Sequence, residues 1–247
     1  MACNKDKPII NANQEQVLQP VKEKHVLVME QTGTWCGACP NGARVLDSLK
    51  RKYGSAAIPF AIHVNDVMEP DCKSSFRSDR QYSSFPSFFI TEARISAIQS
   101  TCENAVEAKL TTTIEAASDF KVSFIGDSID IETKTEFYEN GIGNYYLAAY
   151  VLEDSIFGGS GSGSYKQTSG SSNYYHQHVL RNSSTGNQFW GDTLTIDPTA
   201  GMVIDRKVSI YNDATWIDKN LHVVIVLWKE TGTTNRKYVF VNAKSHS

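Results

Sequence analysis

Two cysteines separated by two residues follow a tryptophan in the string Trp35-Cys36-Gly37-Ala38-Cys39-Pro40. Cysteines at this spacing can exchange with other disulfides, hold a zinc ion, or close a small structural ring. Zinc needs two more ligands, normally a second close Cys or His pair. Here Cys72 and Cys102 stand alone, and His176 and His178 lie far along the chain. A ring with only two residues between its cysteines restrains the unfolded chain little. Redox use is the reading the flanking sequence favours, with a permanent disulfide as the alternative.

The flanks are what position the pair. Before it, residues 26–30 (Val-Leu-Val-Met-Glu) form a short, mostly apolar run that predicts a buried strand. After it, Val45, Leu46, Leu49 and Tyr53 recur at helical spacing, and Gly54 is a stop signal. The pair therefore straddles a helix N-terminus, where unpaired backbone N–H groups and the helix dipole favour a thiolate. That assigns Cys36 as nucleophile and Cys39 as the resolving thiol.

Composition narrows the surroundings. The chain has 247 residues and a formal net charge of −3 with scattered basic residues, which gives no electrostatic footprint for nucleic acid. Its longest apolar stretch, near residues 223–228, falls far short of the roughly 18 residues needed to span a bilayer. Five cysteines leave one over: Cys3, in Met1-Ala2-Cys3-Asn4. A cysteine after a small residue at the start of a chain resembles a processed bacterial lipoprotein, so Cys3 is the candidate lipid anchor and the expected link to a membrane. Cys72 and Cys102 are a possible second pair in an oxidising compartment.

Along the chain, an arm over residues 1–20 precedes alternating strand and helix patterns over residues 21–118. Residues 58–64 predict a strand with Phe60, Ile62 and Val64 on one face and Ala61 and His63 on the other, which makes His63 a core histidine. Asp71 is the expected cap of a short helix carrying Cys72 and Phe76 inward. Phe85-Pro86 opens an apolar strand ending at Ile90. Ser100 and Glu103 have capping-box spacing ahead of a helix whose inner face takes Cys102, Ala105, Val106, Leu110, Ile114 and Ala117.

From Phe120 onward the period is two. At least seven strand patterns without a convincing helix predict an all-β, immunoglobulin-like sandwich over residues 119–247. The Gly/Ser-rich stretch 158–173 is expected to be a mobile loop. Within a strand over residues 174–180, His176 and His178 would share a face, but no third metal ligand is evident, and no metal site is assigned.

With these elements in place, residues 21–118 resemble thioredoxin. The apolar strand, the Trp-Cys-x-x-Cys at a helix start, and the later Phe85-Pro86 carry the likeness. The resemblance implies a cis bond at Pro86 facing the cysteines, and gives Glu30, six residues before Cys36, the role of proton acceptor for Cys39. Trp35, Gly37, Ala38 and Phe85 would line the site. Departures from thioredoxin are Ala38 in place of the usual proline, Pro40 after the second cysteine, and a long segment between Val64 and Pro86.

Over the whole chain, the string from Thr32 to Gly42, together with His176-Gln177-His178-Val179-Leu180-Arg181 and Val239-Phe240-Val241-Asn242-Ala243, resembles the Bacteroidetes outer-membrane family named for a twenty-eight-kilodalton founding member. That likeness implies a lipoprotein with an α/β thioredoxin-like domain followed by a β-domain, in the periplasm or outer membrane. The expectation is an envelope thiol–disulfide oxidoreductase acting on protein disulfides with a redox partner and no cofactor. The alternative is a non-enzymatic binding protein or adhesin on a thioredoxin-like scaffold.

Overall fold

The computed structural model describes residues 17–159, 163–232 and 237–245; Cys3 lies outside them. Strand β1 (Val26–Thr32) runs parallel to β2 (Ala57–His63), pairing Val26 with Ala57 through Thr32 with His63. Every residue of both strands is buried. This is why their sequences run apolar without alternation: both faces of the sheet are covered. On the other side of β1, the antiparallel β3 (Ser87–Ile90) sets Ser87 opposite Gln31, and β4 (Ala93–Ile95) pairs with β3 across a turn through Thr91, φ +58°.

Helices α1 (Cys39–Tyr53), α2 (Lys73–Arg80) and α3 (Gln99–Leu110) flank these strands. Gly54 ends α1 with φ +58°, its N–H returning to the Lys50 carbonyl. Capping differs from expectation elsewhere. Cys72, not Asp71, precedes α2, and Ile98 precedes α3 without a side-chain cap. Ser100 and Glu103 make no capping box because the helix already begins at Gln99, which puts Ser100 inside its first turn; the Glu103 carboxylate instead takes Lys52 of α1 at 2.8 Å. Helix α3 stops at Leu110, ahead of three consecutive threonines. Ala117, expected on the helix, belongs to β5 (Ala116–Ile125).

The remaining strands are β6 (Ser128–Phe137), β7 (Asn144–Glu153), β8 (Ile156–Phe157), β9 (Tyr175–His176), β10 (Val179–Ser183), β11 (Asp192–Ile196), β12 (Val203–Tyr211), β13 (Leu221–Thr231) and β14 (Lys237–Ser245). The strand expected over residues 174–180 is two pieces, β9 and β10, because the chain turns through His178 at φ +58°. His176 and His178 therefore do not share a strand face.

A nine-stranded sheet runs β14-β13-β7-β10-β2-β1-β3-β4, with β11 added alongside β7. It crosses residue 118 without a break: β10 lies between β7 and β2, its Val179 opposite Ala61. One face carries a continuous core from Leu27, Met29, Phe60 and Phe76 to Tyr150, Phe189, Trp190 and Trp228. The other face is divided. Helices α1 and α3 bring Leu46, Leu49 and Val106 onto the first strands. The three-stranded sheet β12-β6-β5 covers β7 and β13, using the inward residues Ile129, Ile131 and Phe137 of an alternating strand. Full burial of each large side chain here is worth roughly 1.5–3 kcal/mol, so the two halves stabilise each other through the shared face.

Candidate active site

Parallel pairing of β1 and β2 puts their C-terminal ends side by side, and the chain leaving β1 turns through residues 33–38 into α1. Cys36 and Cys39 form a disulfide in this turn. The Cys36 N–H donates to the Gly33 carbonyl at 3.0 Å, and Cys39 is the first residue of α1, so the sulfurs sit at the helix N-terminus. Trp35, 43 % exposed, donates its indole N–H to the Val64 carbonyl at 2.8 Å and stands edge-on to Phe85, ring centres 5.0 Å apart. The Phe85–Pro86 bond is cis. Because Ser87 is opposite Gln31, Phe85 and Pro86 reach the end of β1 where the cysteine turn begins.

Glu30 is inside the protein, 1 % exposed, and its Oε1 has no hydrogen-bond partner among the described residues. A β-carbon built on Gly42 would fall 2.7 Å from the Glu30 Cδ, so α1 gives up a side chain where the carboxyl lies. Cys39 and Gly42 are three residues apart on α1 and share its face. The carboxyl thus lies against the face of α1 that Cys39 shares, one turn below the second cysteine. Burial pushes its pKa well above the ordinary range; the Thr32 hydroxyl opposes this and Asp47 adds to it. A carboxyl shifted upward is better matched to exchange a proton with a neighbouring thiol.

Above the cysteines the structure departs from expectation. Described residues 163–173 of the Gly/Ser-rich stretch, with Tyr174 directly after them, are docked on the cysteine turn. Gln167, 2 % exposed, donates its side-chain amide to the Cys36 carbonyl at 2.8 Å, and the Thr168 N–H donates to the Thr34 carbonyl at 2.8 Å. A β-carbon on Gly37 would meet the Ser169 hydroxyl at 3.0 Å. Under this strap Cys36 is 5 % exposed and Cys39 1 %. Ala38 stays exposed.

The strap is anchored by rings that meet edge to face. Tyr174 meets His176 at 4.9 Å, and His176 meets the buried His63 at 5.2 Å. His176 donates from Nε2 to the Tyr165 carbonyl at 2.8 Å, and burial, then His63, pushes its pKa down to about 4. His63 Nδ1 pairs with Asp66 at 2.8 Å; the same carboxylate accepts the Thr34 N–H at 2.7 Å and the Met68 N–H at 2.8 Å. Burial alone would raise the Asp66 carboxyl, but His63 and these N–H groups hold it below the ordinary range. Asp66, Gln167 and the His63–His176 contact were not singled out as site residues from sequence. Only the polarity of a core-facing histidine hinted at them.

The sequence profile of the outer membrane protein family Omp28 matches residues 47–244. The match begins after both cysteines. No curated protein matches the sequence. Among solved structures, HBP35 of Porphyromonas gingivalis superposes with a TM-score of 0.71 at 18 % identity, covering 93 % of this chain and 76 % of that one. A protein of Agrobacterium tumefaciens superposes at 0.54 with 13 % identity, covering 91 % and 95 %. At these identities the likeness is one of fold, and it extends over both halves of the chain.

Proposed function

The chain belongs to the Omp28 outer membrane protein family, and from that premise we propose that it is a thiol–disulfide oxidoreductase of the bacterial cell envelope, acting on protein disulfides. Its family is one of outer membrane proteins, consistent with an envelope location. The reading treats the first half as a thioredoxin-like domain and the second as a β-sandwich partner module, with a lipid on Cys3 as the membrane link. One observation carries it: the cysteine pair starts a helix whose next turn, at Gly42, lies against a buried carboxyl whose Oε1 has no partner among the described residues. A structural disulfide needs no such carboxyl, and a buried glutamate with one oxygen left unpaired is costly.

In the reduced protein, the Cys36 thiolate attacks one sulfur of a substrate disulfide and the other leaves as a thiolate. Cys39 gives its proton to Glu30, and its sulfur attacks Cys36 in the mixed disulfide. The second substrate thiolate is released, and the Cys36–Cys39 disulfide remains. The reverse sequence oxidises a substrate dithiol. Pro86 and Phe85 would form the wall against which the substrate chain lies. A redox partner would reset the pair.

The strap favours a second reading, in which a protein without catalytic activity keeps the Cys36–Cys39 bond permanently and uses its surface for binding. A redox titration separates the two. Equilibration with ordinary thiol buffers supports catalysis, whereas a midpoint below about −300 mV is the signature of a structural bond.

A further inference from the structure

Away from the cysteines, the turn after β7, the break before β10 and the start of β13 bring together Asp154, His178 and His222. One ligand atom from each lies within 4.8 Å of the others. Asp154 is the centre: its Oδ1 is 3.2 Å from Nδ1 of His178, and its Oδ2 is 3.5 Å from Nδ1 of His222. Two nitrogens and an oxygen bound to one zinc ion at about 2.0–2.1 Å stand about 3.3 Å apart at tetrahedral angles. The two observed separations are of that size but are made to different oxygens of the one carboxylate, and with one ligand atom from each residue within 4.8 Å of the others a small side-chain adjustment brings all three onto one ion.

The surroundings supply the second requirement of such a site, an oriented imidazole. Nε2 of His178, the nitrogen facing away from Asp154, is 3.6 Å from the Asp47 carboxylate on α1. A carboxylate behind a liganding histidine fixes the tautomer that leaves the other nitrogen free to bind metal. The backbone is pinned as well. The His178 N–H donates to Asp154 Oδ1 at 2.6 Å, and the His178 carbonyl accepts the Ala61 N–H at 2.7 Å, holding a non-glycine residue at φ +58°. The imidazoles line a cleft of about 330 Å³ with Lys50, Lys219 and Asn220 at its walls. That leaves room for a fourth ligand, and the two lysines favour an anionic one.

We propose that Asp154, His178 and His222 bind one Zn²⁺ ion, with Asp47 orienting His178 and the fourth position open to water or an anion in the cleft. Two imidazoles, one carboxylate and an open position are a donor set suited to zinc. Bound there, zinc would clip α1, β7, β10 and β13 together where the two halves of the sheet meet. The site is independent of the cysteine chemistry and of the function proposed for it.

The test uses the oxidised, tag-free full chain, stripped with chelator and titrated with zinc chloride by calorimetry. The expected result is one equivalent bound, an affinity reduced at least tenfold in His222→Ala, and a reduction of about tenfold in Asp47→Asn with stoichiometry unchanged. Zinc-edge absorption spectra of the wild-type chain read the ligands without relying on any variant. Nitrogen and oxygen neighbours at about 2.0 Å support the site, whereas sulfur neighbours would move the ion to a cysteine and overturn it. Absence of saturable binding, or equal affinity in wild type and a folded His222→Ala, would mean that the cluster is only a hydrogen-bonded ion pair.

Discussion

Glu30 on β1 and Glu153 at the end of β7 are both buried in the same nine-stranded sheet, 1 % and 3 % exposed. Glu153 is answered by Arg181 at 3.2 Å and by the Ile217 N–H at 3.0 Å; burial raises its pKa, and these partners pull it back. Among the described residues Glu30 has no cationic neighbour of this kind, and its Oε1 is unpaired. One buried carboxyl is thus part of the framework that joins β7 to β10. The other is held at a cost in stability, and in the proposed mechanism it exchanges a proton with Cys39. Their difference separates a carboxyl that is paired within the fold from one that is left available for the proposed chemistry.

The largest effect should come at the cysteines that Glu30 is proposed to serve. Cys36→Ser should abolish reduction of an accessible protein disulfide in the presence of excess dithiol, while Cys39→Ser should accumulate mixed disulfides through Cys36. Full activity in Cys36→Ser would remove the catalytic reading.

Exchanging the two glutamates for glutamine sharpens the contrast. Glu30→Gln should slow resolution of the mixed disulfide about 100-fold, the size of ordinary general-base help, and leave attack by Cys36 unchanged. Glu153→Gln should leave both steps alone and lower the unfolding free energy by about 3 kcal/mol, because Arg181 keeps its buried charge without a counter-charge. Stopped-flow kinetics and urea unfolding measure the two quantities. Similar behaviour of the two variants in both assays would erase the distinction.

The pH dependence has a defined sign. Because the folded pKa of Glu30 lies above the unfolded value of about 4.3, its contribution to stability is fully present below pH 4.3 and is lost as pH rises through the folded pKa. Glu30→Gln should therefore gain stability relative to wild type as pH rises from 4 to 8. A difference independent of pH would mean that the carboxyl is not shifted. His176 works in the opposite sense. Its folded pKa is depressed to about 4, so its share of stability falls as pH drops from about 6.5 toward 4, which should loosen the strap. Protease cleavage within residues 163–174 should appear in that window, and His176→Gln should flatten the dependence.

The smallest effect concerns the strap itself. Gln167→Ala removes one hydrogen bond to the Cys36 carbonyl, worth about 1 kcal/mol. Reduction of the Cys36–Cys39 bond by dithiothreitol should then speed up about fivefold, the rate equivalent of that loss. An unchanged rate would mean that the strap does not control access.

Local chemistry made much of the first half legible in the sequence. The apolar run of β1, the helical spacing behind Cys39 and the stop at Gly54 are each set by neighbours within a few residues, so their periodicity marked them before any contact was known. The alternation of β6 was legible for the same reason. Three features depended on pairings between distant residues. Helix α3 ends early because Ala116 and Ala117 are claimed by the β5–β6 hairpin. Gln167 reaches Cys36 across 131 residues of sequence and turns a stretch with loop composition into a cover over the site. His178 leaves His176 and joins His222 and Asp154 because β10 must enter the sheet between β7 and β2. No local period encodes such meetings. The sequence determined which residues could do chemistry, and only the closing of the sheet decided which of them meet, because burying its shared apolar face fixes the path of the chain between them.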